Sequence, residues 1–133
     1  MSTPENTFIK SVHAYLPPNL YRMKNHNQYN GGIPDCWYSG DRADLWVEYK
    51  FEIEPMRDET DMSPDLSPLQ LDWIVKRYAE GRNAAVIMGS TNGGVYLPAG
   101  QPFNMSAGDF RRRVVNRKLL AEYITLICSI SSP

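Results

Sequence analysis

Asp35, Glu48 and Lys50 are the residues whose types and spacing could carry chemistry. Glu48 and Lys50 are separated by one residue, so on a β-strand both project from the same face. Asp35 lies upstream, beyond the turn-forming Ser39-Gly40-Asp41, where a neighbouring strand could bring it to that face. Two carboxylates a few ångströms apart repel unless a cation sits between them. Oxygen ligands suit Mg²⁺ or Mn²⁺, and a bound ion acidifies its water and stabilises charge developing on a phosphate. Lys50 could then position or deprotonate the attacking water, or hold the phosphate. These are the parts needed for phosphodiester hydrolysis. The bland alternative is a solvated strand face and a Pro-Asp turn, since short motifs often match by chance. Against it, Leu45, Val47, Tyr49 and Phe51 make the opposite face wholly apolar, and Trp46 shares the charged face. Such a strand is central, and its charges need a reason.

The elements that must position these residues follow from pattern. Thr3 can cap a first helix, with Pro4 at its first position and Glu5 at the positive end of its dipole. Phe8, Ile9, Val12, Tyr15 and Leu16 form its buried stripe, and Pro17-Pro18-Asn19 ends it. A short strand is expected over residues 20–24, a polar loop over 25–32, and a strand over 33–38 with Pro34 at its beginning. Alternation predicts the clearest strand over 44–51. Residues 52–66 are acidic and contain Pro55 and Pro64, as in an exposed loop. Ser67 and Gln70 make a capping box for a second helix, with Leu71, Trp73, Ile74, Val75 and Tyr78 as its apolar side and Gly81 at its end. A short strand over 84–88, a turn at Asn92-Gly93-Gly94 and a strand over 95–97 follow. Ser106 caps a last helix expected over 107–127. The order predicts one α/β domain over residues 1–133, a mixed β-sheet flanked by helices.

Bulk properties limit the alternatives. The chain has 133 residues and a formal net charge of −1, so overall charge does not advertise nucleic-acid binding. Its distribution says more: Glu52, Glu54, Asp58, Glu59, Asp61 and Asp65 crowd one segment, and Arg111, Arg112, Arg113, Arg117 and Lys118 another. The arginine cluster reads either as a phosphate-gripping surface or as a solvated helix face. Cys36 and Cys128 make no zinc pattern, and neither has an obvious base beside it. No signal peptide or membrane-length apolar run is visible, so the expected location is cytoplasmic. Lys24, His26 and Tyr29 could contact a phosphate, although a histidine in a polar loop is more often simply solvated. His13, Trp73 and Tyr78 read as structural. Asn92-Gly93-Gly94 is no phosphate loop, because no Gly-Lys-Ser/Thr follows it.

Gly32-Ile33-Pro34-Asp35, Trp46-Val47-Glu48-Tyr49-Lys50 and Leu66-Ser67-Pro68-Leu69-Gln70 followed by Trp73-Ile74 resemble the PD-(D/E)XK nuclease superfamily. Within it they are most similar to the VRR-NUC branch, which includes small stand-alone phage enzymes related to Holliday junction resolvases. That branch has a glutamate-bearing helix, a Gly-Ile-Pro-Asp strand start, a Glu-x-Lys strand and a Leu-Ser-x-x-Gln helix start, in this order over most of residues 5–90. The resemblance implies a restriction-endonuclease-like fold, with Asp35, Glu48 and the backbone carbonyl of Tyr49 as ligands of Mg²⁺ or Mn²⁺. It implies Lys50 as the catalytic lysine, Gln70 lining the site, and Glu5 reaching it from the first helix. Gln70 is equally explained as half of the capping box, and Glu5 as a complement to the helix dipole. The segment between Lys50 and Leu66 is longer and more acidic than in the branch, and reads as a substrate-selecting loop or a dimer contact.

The leading expectation is a metal-dependent endonuclease acting on branched or junction-like DNA as a homodimer, in the host cytoplasm if phage-encoded. A nicking nuclease without junction preference is the second reading. A silent nuclease fold kept as a DNA- or protein-binding module is the third; it would show a damaged triad, whereas Asp35, Glu48 and Lys50 are intact.

Overall fold

A computed structural model describes residues 3–25 and 31–128, so His26 and Tyr29 lie outside the described residues. The elements are α1 (Pro4–His13), β1 (Tyr21–Lys24), β2 (Cys36–Ser39), β3 (Asp44–Phe51), α2 (Pro68–Ala79), β4 (Ala84–Ser90), β5 (Gly93–Pro98), α3 (Ala107–Arg113) and α4 (Arg117–Cys128). The strands form one five-stranded sheet in the order β1-β2-β3-β4-β5. Only β3 and β4 pair in parallel, across the α2 crossover; the other neighbours are antiparallel. β3 is the middle strand, which explains its apolar reverse face.

Alternation divides the core in two. Cys36, Tyr38, Leu45, Val47, Tyr49, Ala85 and Ile87 pack against Phe8, Ile9 and Val12 of α1 and Leu120, Ala121 and Ile124 of α4. On the other face Ala84, Val86, Met88, Val95 and Leu97 meet Ile74 of α2 and Phe110 of α3, with Met62 and Met105 between. Glu48 and Lys50 rise from this second face, because they alternate with Val47 and Tyr49.

Several expectations need correction. Tyr15 is exposed, because α1 ends at His13 and its stripe stops short. β2 starts at Cys36, later than expected, since Pro34 delays pairing. Of the supposed apolar side of α2 only Ile74 is buried; Leu71, Val75 and Tyr78 stand exposed. Residues 52–66 are not simply an exposed loop. Met62 and Pro64 are buried, and Met62 N–H, Ala107 N–H and Gly108 N–H bond to Met105, Thr60 and Asp58 carbonyls, tying the segment to α3. Gly93 and Gly94 belong to β5 and not to the turn.

The expected last helix is two helices. Between them Val115 exchanges both backbone hydrogen bonds with Gly94, each 2.9 Å, so tertiary pairing interrupts the helix. Gly93 makes this approach possible: its φ is 135°, and a Cβ there would lie 2.1 Å from the Val115 carbonyl oxygen. Gly93→Ala should therefore lower stability by about 2–4 kcal/mol, from backbone strain and overpacking together. Urea denaturation would check this; an unchanged midpoint would show that the α3–α4 junction gives way without cost.

Candidate metal centre

Three elements bring carboxylates together. β3 supplies Glu48, only 3 % exposed although ionisable. β2 pairs Cys36 with Val47, so the preceding Asp35 falls beside Glu48. The Asp35 carboxylate accepts the Tyr49 N–H at 2.9 Å, in place of a ladder carbonyl, because β2 has not yet begun at this residue. The first turn of α1 delivers Glu5, half-buried, from the helix that packs on the opposite face. One oxygen from each of Glu5, Asp35 and Glu48 lies within 4.8 Å of the others. Mg²⁺ bound at about 2.1 Å spans about 4.2 Å between opposite ligands, so this spacing fits one shared hard cation with little adjustment.

The electrostatics agree with a need for positive charge. Burial, then the Asp35 carboxylate, pushes the Glu48 carboxyl up to about 8, with Lys50 opposing. The same causes in the same order raise Glu5 to about 7, opposed by Lys50 and Lys24. Lys50 Nζ stands 3.7 Å from Glu48 Oε2 and its side chain is 21 % exposed, so it is held at the cluster yet open to solvent.

Gln70 makes the capping contact and also reaches Glu48. Its Oε1 accepts the Ser67 N–H at 2.9 Å, completing the capping box. Its Nε2 donates to Glu48 Oε2 at 3.1 Å. The capping geometry therefore aims the amide nitrogen at the buried carboxylate. Lys24, at the end of β1, donates to Asn6 Oδ1, which fixes it beside the first turn of α1. Asn6 was not singled out by its sequence context; nothing in the pattern of α1 marks it. The half-buried His13 bonds Tyr38 Oη at 2.7 Å, and Tyr38 bonds Tyr49 Oη at 2.7 Å, a polar chain behind the Asp35–Tyr49 contact. Cys36 and Cys128 are free thiols, both buried.

The arginines are not gathered into one surface. Arg111 is engaged by Glu54, Asp58 and the Pro55 carbonyl, and so clamps the acidic segment. Arg112 pairs with Asp109. Arg117 donates to Ser11 Oγ at 2.7 Å and to the Thr91 and Ser90 carbonyls, and lies over the Phe8 ring. Arg113 is exposed on α3.

No protein-family model matches the sequence, and no curated protein matches it either. Among solved structures the chain is similar to Hjc, a Holliday junction resolvase from the archaeal hyperthermophile Archaeoglobus fulgidus. The TM-score is 0.57 at 14 % identity, over 98 % of this chain and 100 % of that one. A likeness at that identity establishes architecture: this chain has a restriction-endonuclease-like α/β fold, with a mixed five-stranded sheet flanked by four helices among the described residues.

Proposed function

We propose that this chain is a PD-(D/E)XK endonuclease of the VRR-NUC type, one domain over residues 1–133, that hydrolyses DNA phosphodiester bonds with a divalent cation and prefers branched DNA. The observation that carries this reading is the cluster itself: Glu5, Asp35 and Glu48 within 4.8 Å, with Lys50 beside Glu48, in this fold. Asp35, Glu48 and the Tyr49 carbonyl would hold Mg²⁺ or Mn²⁺, with Glu5 as a further ligand or water-holder. The bound ion supplies a more acidic water and stabilises charge at the phosphate. Lys50, positively charged beside Glu48, would orient the attacking water; as the water oxygen bonds to phosphorus the P–O ester bond breaks, the water's proton passes to solvent and the leaving oxygen takes one up. Gln70 keeps Glu48 in position. Lys24 contacts a phosphate beside the cluster; Arg112 and Arg113 are further contacts, whereas Arg111 and Arg117 hold the fold. A homodimer would match the two-fold symmetry of a junction. Among the described residues no helix is long and apolar enough to cross a membrane, and a cytoplasmic site of action fits a DNA substrate.

Labelled duplex, single-strand, flap and four-way-junction DNAs, each incubated with Mg²⁺, Mn²⁺ or a chelator, test the proposal. Cleavage in either metal, abolished by the chelator and fastest on branched forms, is the expected result. Equal rates on all forms would remove the preference. Absence of cleavage together with absence of Mn²⁺ binding by calorimetry would overturn the nuclease reading.

A further inference from the structure

The face that carries Glu48 and Lys50 continues into a row of aromatic rings. Trp46 lies two residues before Glu48 on β3, and Trp37 pairs with it across the β2–β3 ladder. Met23 pairs with Trp37, and Tyr21 with Ser39, so both rise from the same face at the sheet edge. Tyr21 meets Trp37 edge-on at 5.3 Å between centroids, Trp37 stacks on Trp46 at 5.7 Å, and Trp46 meets Trp73 of α2 at 5.2 Å. Arg77 covers the far ring, 5.4 Å from the Trp73 centroid. Trp46 and Trp73 lean on the second core. Tyr21 and Met23 are 55 % and 46 % exposed, because α2 covers β4 and leaves the β1–β2 side open.

This surface is held in place. The Trp37 indole N–H donates to Asp44 Oδ2 at 3.0 Å, and Ser39 Oγ donates to Asp44 Oδ1 at 2.7 Å, which fixes the ring. Its chemistry suits bases more than phosphates: it is aromatic, with the near-parallel Trp37 and Trp46 rings at its centre, and Asp44 places negative charge at its edge. The positive groups on the cluster side are Lys50, beside Glu48, and Lys24, which follows Met23 on β1 and leans to the α1 side. Trp46 and Glu48 are two strand positions apart, a span of about 7 Å, or two base-stacking steps of about 3.4 Å. A protein docked on the rings would crowd a cluster that must admit a phosphate, which argues for the substrate strand as occupant.

We propose that Tyr21, Trp37 and Trp46 form a stacking shelf for unpaired bases of the strand whose phosphate lies at the Glu5–Asp35–Glu48 cluster. Branched DNA with unpaired arms, such as a splayed duplex, is then the preferred substrate, ahead of fully paired junction arms. This rests on the nuclease reading and adds a substrate class to it. Aromatic stacking is sequence-tolerant and substantial for each base.

The test uses the wild type, Trp37→Ala and Trp37→Phe, with a splayed duplex and a fully paired duplex of equal length. In chelator, binding is followed by fluorescence anisotropy; in Mg²⁺ and Mn²⁺, cleavage is followed. The alanine variant should weaken binding of splayed DNA by about 5- to 150-fold, leave the paired duplex unchanged, and be largely rescued by phenylalanine. Photocrosslinking of wild type to 5-iodouracil in the unpaired arm should map to Trp37 or Tyr21. Equal losses on both DNAs, no loss, or crosslinks confined to other residues would overturn the shelf. So would a fall in oligomer mass by light scattering with DNA binding unaltered, which would assign the rings to a contact between copies. Crosslinking at Trp37 without cleavage in either metal would support the shelf and sink the nuclease. Cleavage indifferent to Trp37→Ala would do the reverse.

Discussion

Asp35→Asn is expected to lower metal-dependent DNA cleavage by about a hundred- to a thousandfold, the scale on which losing one preorganised electrostatic group acts, while the protein stays folded. Asparagine keeps an oxygen that can accept the Tyr49 N–H, so the β2–β3 junction survives. What disappears is the charge between two other carboxylates. Asp35 is the largest electrostatic contributor, after burial, to the raised values of both Glu5 and Glu48. Neutralising it should let both ionise more readily and weaken the demand for a cation. Lys50→Ala should reduce cleavage comparably by a different route: Lys50 is a competing positive charge at the cluster, so its removal should preserve or tighten Mn²⁺ binding. Calorimetric Mn²⁺ titration beside single-turnover cleavage separates the two. Cleavage within tenfold of wild type for Asp35→Asn, or loss of Mn²⁺ binding in Lys50→Ala, would contradict the roles assigned.

Those roles could be read in part before any coordinates. Asp44–Phe51 is strand over the range its alternation predicts, and its central place in the sheet follows from an apolar reverse face. The α2 capping box was equally legible, because Ser67 and Gln70 interact over three residues. Local chemistry was thus visible wherever the partners were local. The meeting of residues 5, 35 and 48 is another matter. No spacing rule brings the first turn of a helix on one face of a sheet to a carboxylate on the other, and the family resemblance was needed to nominate Glu5. The misreadings have the same origin. Val114-Val115-Asn116 contains neither proline nor glycine, so the break between α3 and α4 is invisible until Val115 pairs with Gly94. Gly93 looked like a turn glycine, whereas its lack of a side chain admits a carbonyl from a distant segment. The arginines of residues 111–117 form a run in sequence, yet the helix break divides them, and the acidic segment 54–58 claims Arg111. Leu71, Val75 and Tyr78 keep helical spacing without a core to meet, because α2 sinks into the second layer mainly through Ile74.

The stability of the metal-free protein should fall as pH rises from about 6.5 to 8.5, and Mg²⁺ or Mn²⁺ should reverse that fall. Glu48 and Glu5 are raised in the folded chain to about 8 and about 7, above the ordinary glutamate value of 4.5. Below that ordinary value both folded and unfolded chains are protonated, and the folded state keeps its full advantage. As pH climbs, the unfolded chain gives up these protons first, so ionisation favours unfolding until the folded-state values are passed; above about 8 the loss is complete. His13 acts in the opposite sense at lower pH. Burial, then Arg22 and Lys24, holds it down to about 4, so its contribution is present above its ordinary 6.5 and is lost as pH falls through 4. The window above 6.5 therefore isolates the carboxylates. A cation binds their ionised forms and must displace protons to do so, so its stabilising effect should be small at pH 5 and greatest at pH 8.5. A melting-temperature gain of several degrees corresponds to about 1 kcal/mol in a chain of this size. Glu48→Gln provides the control. Gln70 can still donate to the new amide oxygen, the buried charge is gone, and the melting temperature without metal should rise at pH 8.5 while the metal response shrinks. A thermal-shift series over pH, with and without Mn²⁺, decides the matter. Flat melting temperatures from pH 6.5 to 8.5, or a metal response equal in wild type and Glu48→Gln, would show that the three carboxylates neither strain the empty fold nor gather a cation.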